Sequence, residues 1–209
     1  RFLDAEQTRA VLATRLASLC QGVSGVSVDL LLQLEGLLRH DILPLIPEEG
    51  SVGASGDLTP LSYVAATLSG EREVMYQGER RSAAEVHNEL GWTPLTLRPK
   101  EALALMNGTA VMTALACLAY SRADYLLKLA TRITALNVVA LEGNPEHFDE
   151  RLFAAKPHPG QMQVAAWLRQ DLAIDAPTAP LHRLQDRYSL RCAPHVLGVL
   201  ADSLGELQR

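Results

Sequence analysis

Apolar side chains recur along most of the chain at intervals of three and four residues, which is the spacing that places them on one face of an α-helix. Turns rich in glycine and proline separate these stretches. The pattern predicts helices over residues 3–20, 27–40, 59–68, 82–90, 100–141, 147–155, 160–172 and 192–209. We therefore expect a mostly-α fold of long packed helices.

Two segments depart from the helical pattern. Residues 74–80 predict a small β-hairpin that turns at Gly78. The prolines and glycines of residues 44–56 favour neither a helix nor a regular strand. At the end of that loop we expect a helix to start at Thr59 and Pro60, because the hydroxyl can accept an unpaired backbone N–H and proline needs no donor there.

An asparagine-glycine pair interrupts the longest predicted helix. Gly108 lies within residues 100–141, where glycine costs about 1 kcal/mol relative to alanine. A costly residue at this position indicates a packing or functional reason. Asn107 is therefore a candidate site residue, with an interior amide satisfied by neighbouring backbone as the alternative.

Composition places the chain among globular proteins. Its 209 residues, 48% of them hydrophobic, suffice for one helical domain over residues 1–209. The net charge of -5, without a basic block, gives no reason to expect nucleic acid or an anionic membrane as partner. Apolar runs such as 110–120 stop well before the roughly 20 residues that span a bilayer, so no transmembrane segment is predicted. The chain starts within a helical pattern, without an initiator methionine or signal peptide, so we expect a piece of something longer.

The cysteines and histidines suggest neither disulfides nor a metal site. Cys20, Cys117 and Cys192 form no CxxC pair and leave one cysteine over in any pairing, which favours a reducing cytoplasm. The six histidines include no pair at a metal-ligand spacing. We expect no metal cofactor.

The triplet Ala54-Ser55-Gly56 is the strongest chemical candidate. Small residues let the backbone fold tightly enough for an amide nitrogen to attack a nearby carbonyl, and the central serine can then lose water to give a methylene electrophile. The N-terminus of the following helix would stabilise electron density arriving on such a group. The alternative is a surface turn rich in small residues.

Three motifs together resemble a known family. The letters GSVGASGDLTPL at 50–61, LMNGT at 105–109 and QDRYSLR at 185–191 resemble, in the same order, the histidine, phenylalanine and tyrosine ammonia-lyases and the related 2,3-aminomutases. The resemblance covers essentially the whole chain but only the middle of the family's subunit. It implies the long-helix bundle core of the ammonia-lyase fold, with a small β-hairpin.

The resemblance implies a prosthetic group and its partners. Ala54, Ser55 and Gly56 would cyclise to a 4-methylidene-imidazol-5-one, with Ser55 giving the methylidene carbon. Asn107 would hydrogen-bond the carbonyl of this group or the substrate carboxylate. Arg191 would bind the substrate carboxylate in a two-pronged ion pair, a geometry that suits guanidinium.

Four further residues receive roles from the same resemblance. Gln185 and Tyr188 would line the site and orient substrate or electrophile, and Leu58 and Leu103 would contact the substrate ring. Without the motifs, the first two would be the approach to a helix and the two leucines plain core. Arg191 would then be a surface charge.

The implied activity is the non-oxidative deamination of an aromatic amino acid. The substrate amine adds to the methylidene carbon, a base removes the β-proton, and an α,β-unsaturated acid and ammonia leave. In the family, the base lies N-terminal and an acid lies C-terminal to the matched region, and each site draws on three subunits of a homotetramer. We therefore expect this chain alone to be inactive.

Substrate and outcome stay open at this point. Arg187 resembles the phenylalanine and tyrosine enzymes and the aminomutases, whereas the letters SLRC at 189–192 resemble the histidine branch. We expect phenylalanine or tyrosine, with a histidine ammonia-lyase or an aromatic 2,3-aminomutase as alternatives. A hypothesis of another class is a non-catalytic helical assembly core in which residues 54–56 stay uncyclised.

Overall fold

A computed structural model describes residues 1–50, 56–173 and 184–208. The described residues form two compact units, Arg1–Leu118 and Ala119–Arg209, called here the N-terminal and C-terminal units. Both are built mainly of helices, as predicted. The expectation of a single domain stays a prediction.

Helices make up most of the N-terminal unit. They are α1 (Ala5–Leu19), α2 (Val28–Arg39), α3 (Leu58–Leu68), α4 (Ala83–Leu90), α5 (Glu101–Met106) and the first part of α6 (Ala110–Ala140). Asp4 and Gln7 form a reciprocal capping box at the start of α1, and Ser27 caps α2. The predicted helices over 3–20, 27–40 and 82–90 are confirmed.

A small antiparallel sheet of three strands accompanies these helices. The strands are β1 (Leu43–Pro44), β2 (Glu73–Tyr76) and β3 (Glu79–Ser82), in the order β1-β2-β3. The hairpin of β2 and β3 confirms the prediction. The sequence did not predict β1, because two residues that end in proline give no strand pattern.

The start of α3 corrects one expectation. Thr59 does not cap the helix, which begins one residue earlier at Leu58. Asp57 occupies the cap position but makes no capping bond with its side chain. Its carboxylate instead accepts the backbone N–H groups of Val111 and Met112 at the start of α6.

The asparagine-glycine pair also corrects an expectation. The predicted helix over 100–141 is two helices, α5 and α6. Asn107 is extended at φ -82° and ψ 126°, and Gly108 has a φ of 150°, where side chains are rarely accommodated. The helix therefore breaks at this pair and does not tolerate it.

One face of each helix builds the core of the N-terminal unit. On α1 this face carries Val11, Leu12 and Leu19, which are essentially fully buried. Burying such a side chain contributes about 1.5–3 kcal/mol relative to exposure. Leucines of α2 and α3 and strand residue Val74 belong to the same cluster.

The C-terminal unit is a second helical cluster. After α6 come a 3-10 turn (Pro145–Phe148), α7 (Glu150–Ala154), α8 (Pro159–Leu172), α9 (Tyr188–Arg191) and α10 (Ala193–Leu207). Its core includes Phe148, Leu168 and Leu204. The predicted helices over 160–172 and from Cys192 onwards are confirmed, and the predicted helix over 147–155 is a 3-10 turn followed by α7. The loop expected over 174–180 lies outside the described residues.

The segment Glu101–Ala140, which contains α5 and α6, is long and apolar enough, by length and composition, to cross a membrane. The sequence pattern predicts a helix here but no transmembrane segment. Only 22% of its most apolar window is buried within the chain. This is weak evidence for a span, because a core helix of a soluble protein passes the same test.

Candidate functional site

The candidate electrophile is described only at its last residue. Ala54 and Ser55 lie outside the described residues, whereas Gly56 is described with a φ of 52°. Apart from its neighbours in the chain, no described residue lies within 4 Å of a Cβ built at Gly56. The positive φ therefore favours glycine at this position.

Asp57 follows the triplet directly and is bonded to the start of α6. The side chain is buried, and its Oδ2 accepts the N–H of Val111 at 2.8 Å and that of Met112 at 3.1 Å. These N–H groups belong to the first turn of α6, where a negative charge is stabilised by the helix dipole. Asp57, the residue that follows the triplet in the chain, thus lies close to the start of α6.

Arg15 of α1 is a buried charge beside the same region. Its Nε donates to the carbonyl of Leu105 at 2.8 Å, and its Nη2 donates to the carbonyls of Ala104 and Asn107. Burial lowers the pKa of Arg15, an effect that the negative charge of Asp57 partly offsets. The guanidinium therefore satisfies the carbonyls that α5 leaves unpaired at its end.

Asn107 follows the end of α5 directly. Its carbonyl oxygen lies 2.6 Å from Arg15 Nη2, and its side-chain Nδ2 donates to the carbonyl of Leu103 at 3.1 Å. Part of the amide is therefore satisfied by neighbouring backbone, as in the alternative interpretation of this residue. Its proposed contact with prosthetic group or substrate stays a prediction.

Leu58 and Leu103 lie on two helices that pack together. Leu58 is the first residue of α3 and is half-buried, and Leu103 on α5 is 58% exposed. Leu103 is therefore not plain core within this chain. Its side chain is open to a ligand or to another part of the protein.

The third motif forms the entry to α9 in the C-terminal unit. Gln185 and Tyr188 are exposed, and Arg191 is half-buried at the end of the helix. Arg191 donates from Nε to the carbonyl of Asp186 at 3.2 Å and from Nη1 to Cys192 Sγ at 3.3 Å. Its guanidinium carbon lies 5.5 Å from the centre of the Tyr188 ring. Tyr188 and Arg191 are thus neighbours on one short helix.

An open cleft borders this helix. Its volume is about 320 Å³, and it lies between α6 and the segment formed by α9 and α10. The lining residues are Ala130, Thr134, Tyr188, Ser189, Cys192, Ala193, Val196 and Leu197. Tyr188 is the predicted site residue that faces it.

Asp186 and His147 hold the third motif in place. The N–H of Asp186 donates to His147 Nε2 at 3.1 Å, and Asp186 Oδ2 accepts the N–H of Asn144 at 2.6 Å. Within the part of the chain that is described, His, Cys, Asp and Glu form no group of three or more that could hold a metal ion.

With this geometry in place, comparisons with known proteins decide the family. The family model for aromatic amino acid lyases matches residues 1–209. The chain belongs to the aromatic amino acid lyase family. This membership accounts for the three motifs and for the helical fold around them.

Relatives and solved structures agree with the family. The chain is 43% identical over 205 residues to the histidine ammonia-lyase of Koribacter versatilis, covering 97% of this chain and 40% of that protein. It is 44% identical over 212 residues to the histidine ammonia-lyase of Deinococcus radiodurans, covering 99% of this chain and 40% of that protein. The structure of Pantoea agglomerans phenylalanine aminomutase matches with a TM-score of 0.89 at 32% identity, and the match covers 99% of this chain and 43% of the aminomutase chain. The chain thus spans about 40% of the length of these relatives.

In this lyase-family chain, the predicted site residues fall into two sets. Gly56, Leu58, Leu103 and Asn107 belong to the N-terminal unit. The other set, Gln185, Tyr188 and Arg191, belongs to the C-terminal unit.

Sequence reasoning gave no role to the residues that organise these sets. Arg15 had a usable signal, because it is a charged residue on the apolar face of α1 that also carries Val11, Leu12 and Leu19. Asp186 carried no sequence signal of its role beyond its place in the third motif, and His147 carried no such signal.

Proposed function

We propose that this chain is the central part of an ammonia-lyase subunit, which removes ammonia from an aromatic amino acid and leaves an α,β-unsaturated acid. One observation carries the proposal. The family-matched segment enters α3 with Gly56 in a left-handed conformation and with Asp57 bonded to the start of α6.

The described residues fit an electrophile built from Ala54, Ser55 and Gly56. The left-handed backbone of Gly56 is one that other residues adopt only at a cost, and no described residue would crowd a Cβ there. Asp57 would hold one end of the cyclising loop still. The 4-methylidene-imidazol-5-one would supply an electrophilic methylidene carbon.

The chain's own side chains would bind and orient the substrate. Arg191 would pair with the substrate carboxylate, since Nη2 donates no hydrogen bond to the described residues. Tyr188 lies beside it and would line the site together with Gln185. In the N-terminal unit, Asn107 would hydrogen-bond the prosthetic group or the carboxylate.

Leu58 and Leu103 would contact the substrate ring. The wide exposure of Leu103 supports a site that is completed by residues outside this chain. We propose a homotetramer as the complete enzyme, in the cytoplasm, where the free thiols of Cys20, Cys117 and Cys192 would stay reduced.

Two observations favour different substrates. The names of the relatives, histidine ammonia-lyases at 43% and 44% identity, make L-histidine the first substrate to test. Arg187 supports L-phenylalanine or L-tyrosine as the substrate. The structural similarity to a phenylalanine aminomutase supports a second possible outcome, in which ammonia returns to the β-carbon. Product analysis separates deamination from amine migration.

The intact mass of the denatured chain tests the electrophile. A deficit of two water molecules, localised by fragmentation to residues 54–56, is the result that the proposal requires in the complete subunit. The same deficit in the 209-residue chain would show that this core cyclises by itself. If the complete subunit shows the deficit and the isolated 209-residue chain does not, the isolated chain is an assembly core.

Turnover is tested separately, by release of ammonia from L-histidine, L-phenylalanine and L-tyrosine. We expect the complete subunit to act on at least one of them and the 209-residue chain to act on none, because the family's base and acid lie outside the matched region. A complete subunit that carries the electrophile but acts on none of the three would refute the proposed activity.

A further inference from the structure

We propose that Asp186 and His147 are positioning residues that hold the segment 185–191 in the shape that presents Arg191 to a substrate carboxylate. The inference rests on the proposed function, because it assigns Arg191 that role. Neither residue acts on the substrate directly, since both act through their hydrogen bonds to other residues.

Asp186 uses its main chain and its side chain for three separate bonds. Its N–H donates to His147 Nε2 at 3.1 Å, and its Oδ2 accepts the N–H of Asn144 at 2.6 Å. Its carbonyl oxygen accepts from Arg191 Nε at 3.2 Å. One residue therefore ties the 3-10 turn that follows α6 to the guanidinium of Arg191.

Burial makes these bonds specific. The Asp186 side chain is 10% exposed and that of His147 is 17% exposed. A charge-assisted hydrogen bond such as the one from Asn144 is shorter and roughly twice as strong as a neutral one. A Cβ at Gly143 would lie 3.0 Å from Asp186 Oδ2, so the carboxylate packs tightly against that glycine.

His147 supplies the second anchor. Its Nε2 accepts the backbone N–H of Asp186 at 3.1 Å and lies 3.7 Å from Asp186 Oδ2. Because the donor is the backbone N–H of Asp186, the bond fixes the main chain at the start of the motif. The carboxylate and the imidazole thus restrain the same residue from two directions.

Loss of this restraint has a defined consequence. Arg191 would keep its charge but lose the fixed direction of its guanidinium, which a two-pronged ion pair needs. Ligands with a carboxylate should then bind more weakly. Ligands that lack the carboxylate should be unaffected.

Asp202 provides a matched control. Its Oδ1 accepts the backbone N–H of Gly160 at 2.7 Å in the same unit, so Asp202→Ala removes the same kind of bond without touching the third motif. Asp186→Asn is the conservative variant, because an amide oxygen can still accept from Asn144. The comparison is made in the complete subunit.

The kinetic test compares two kinds of inhibitor. For Asp186→Ala we expect roughly a tenfold weaker inhibition by the unsaturated acid product, equivalent to about 1.4 kcal/mol, and unchanged inhibition by the carboxylate-free amine of the same amino acid. Asp186→Asn should restore much of the loss, and Asp202→Ala should change neither value. Equal weakening of both inhibitors, or the same loss in Asp202→Ala, would overturn the proposal.

Hydrogen exchange tests the restraint without any activity. Peptides covering residues 184–192 should exchange faster in Asp186→Ala and in His147→Leu than in the parent protein, and at the parent rate in Asp202→Ala. Unchanged exchange in this segment overturns the positioning role. If exchange is faster in the variants but the complete subunit shows no turnover, the positioning role is supported and only the proposed function is refuted.

Discussion

Arg15 shows how one buried charge organises the start of the candidate site. The side chain is 4% exposed, and its hydrogen-bond acceptors in the described part of the chain are main-chain carbonyls at the end of α5. A cation at the C-terminal end of a helix is stabilised by the helix dipole. The end of α5, and with it Asn107, therefore depends on a residue 92 positions earlier in the chain.

Replacing Arg15 with methionine should destabilise the protein strongly. Methionine fills similar space but donates nothing, so three carbonyls would lose their partner, and we expect a loss of about 2–4 kcal/mol in the free energy of unfolding. Denaturant unfolding measures the change. Arg9→Met is the control on the same helix, because Arg9 pairs with Asp41 at the surface and its removal should have little effect. Similar losses in both variants would contradict the role of Arg15.

His87 should make stability depend on pH. The side chain is fully buried, and neither ring nitrogen has a hydrogen-bond partner among the described residues. Burial lowers the pKa of His87, so the unfolded chain takes up a proton at a higher pH than the folded chain. Above about pH 6.5, the pKa of an ordinary histidine, protonation of His87 should not reduce the free energy of unfolding. As the pH drops below that value, the free energy of unfolding should fall.

The measurement compares the parent protein with His87→Phe in urea at pH 7.5 and at pH 5. The phenylalanine variant lacks the titrating group but keeps a ring beside Trp92. The stability of the parent should fall by more than that of the variant between the two pH values. Parallel losses would show that His87 does not contribute to the dependence.

At the scale of elements, two glycines set the contact between α8 and α10. A Cβ at Gly160 would collide with the carbonyl of Gly198, and a Cβ at Gly198 would lie 2.7 Å from Gln161 Cα. Both obstacles are backbone atoms, which cannot rotate away. Gly160→Ala and Gly198→Ala should each cost about 1–3 kcal/mol, because the helices must move apart.

Gly205 is the matched control for this prediction. It lies in the same helix as Gly198, and a Cβ there would meet no described residue within 4 Å. Gly205→Ala should stabilise the chain by about 0.5–1 kcal/mol through helix propensity alone. Thermal unfolding of the three variants gives the comparison. A loss at Gly205 like that at Gly198 would mean that the close contact is not the cause.

The elements that the sequence predicted are those that periodicity determines. Helices α1 and α2 each bury apolar residues at helical spacing and begin at a capping residue, and both were predicted. The start of α3 and the break at Asn107 were not predicted correctly, because distant residues decide them. Asp57 binds the start of α6 instead of capping its own helix, and Arg15 pairs with carbonyls that a continuous helix would use.

The candidate site was predictable as a set of residues but not as an arrangement. The motifs named Tyr188 and Arg191, and the structure makes them neighbours on α9. The bonds of Asp186 with Asn144 and His147 join positions about 40 residues apart, and no local pattern encodes them. Long-range contacts of this kind depend on the packed fold.

At the scale of the whole molecule, α6 leaves an apolar stripe uncovered. Residues spaced by three and four positions along one side of the helix are exposed, and this stripe comprises Tyr125, Leu129, Ile133 and Leu136. The charged residues Lys128 and Arg132 border it. Charged side chains are costly in hydrocarbon, so this border favours a protein surface as the partner. A second copy of the chain is the partner that the proposed homotetramer supplies.

Replacing Ile133 and Leu136 with lysine should therefore dissociate the complete subunit into smaller species, because like charges would meet across the contact and apolar burial would be lost. Sedimentation equilibrium measures the mass of the assembly. Val23→Lys is the control, since Val23 is 85% exposed in a turn of the N-terminal unit and its replacement should leave the assembly unchanged. An unaltered mass in the double variant would remove the stripe from the assembly. If the parent protein instead binds lipid vesicles and the double variant does not, the stripe serves a membrane, and self-association through α6 is wrong.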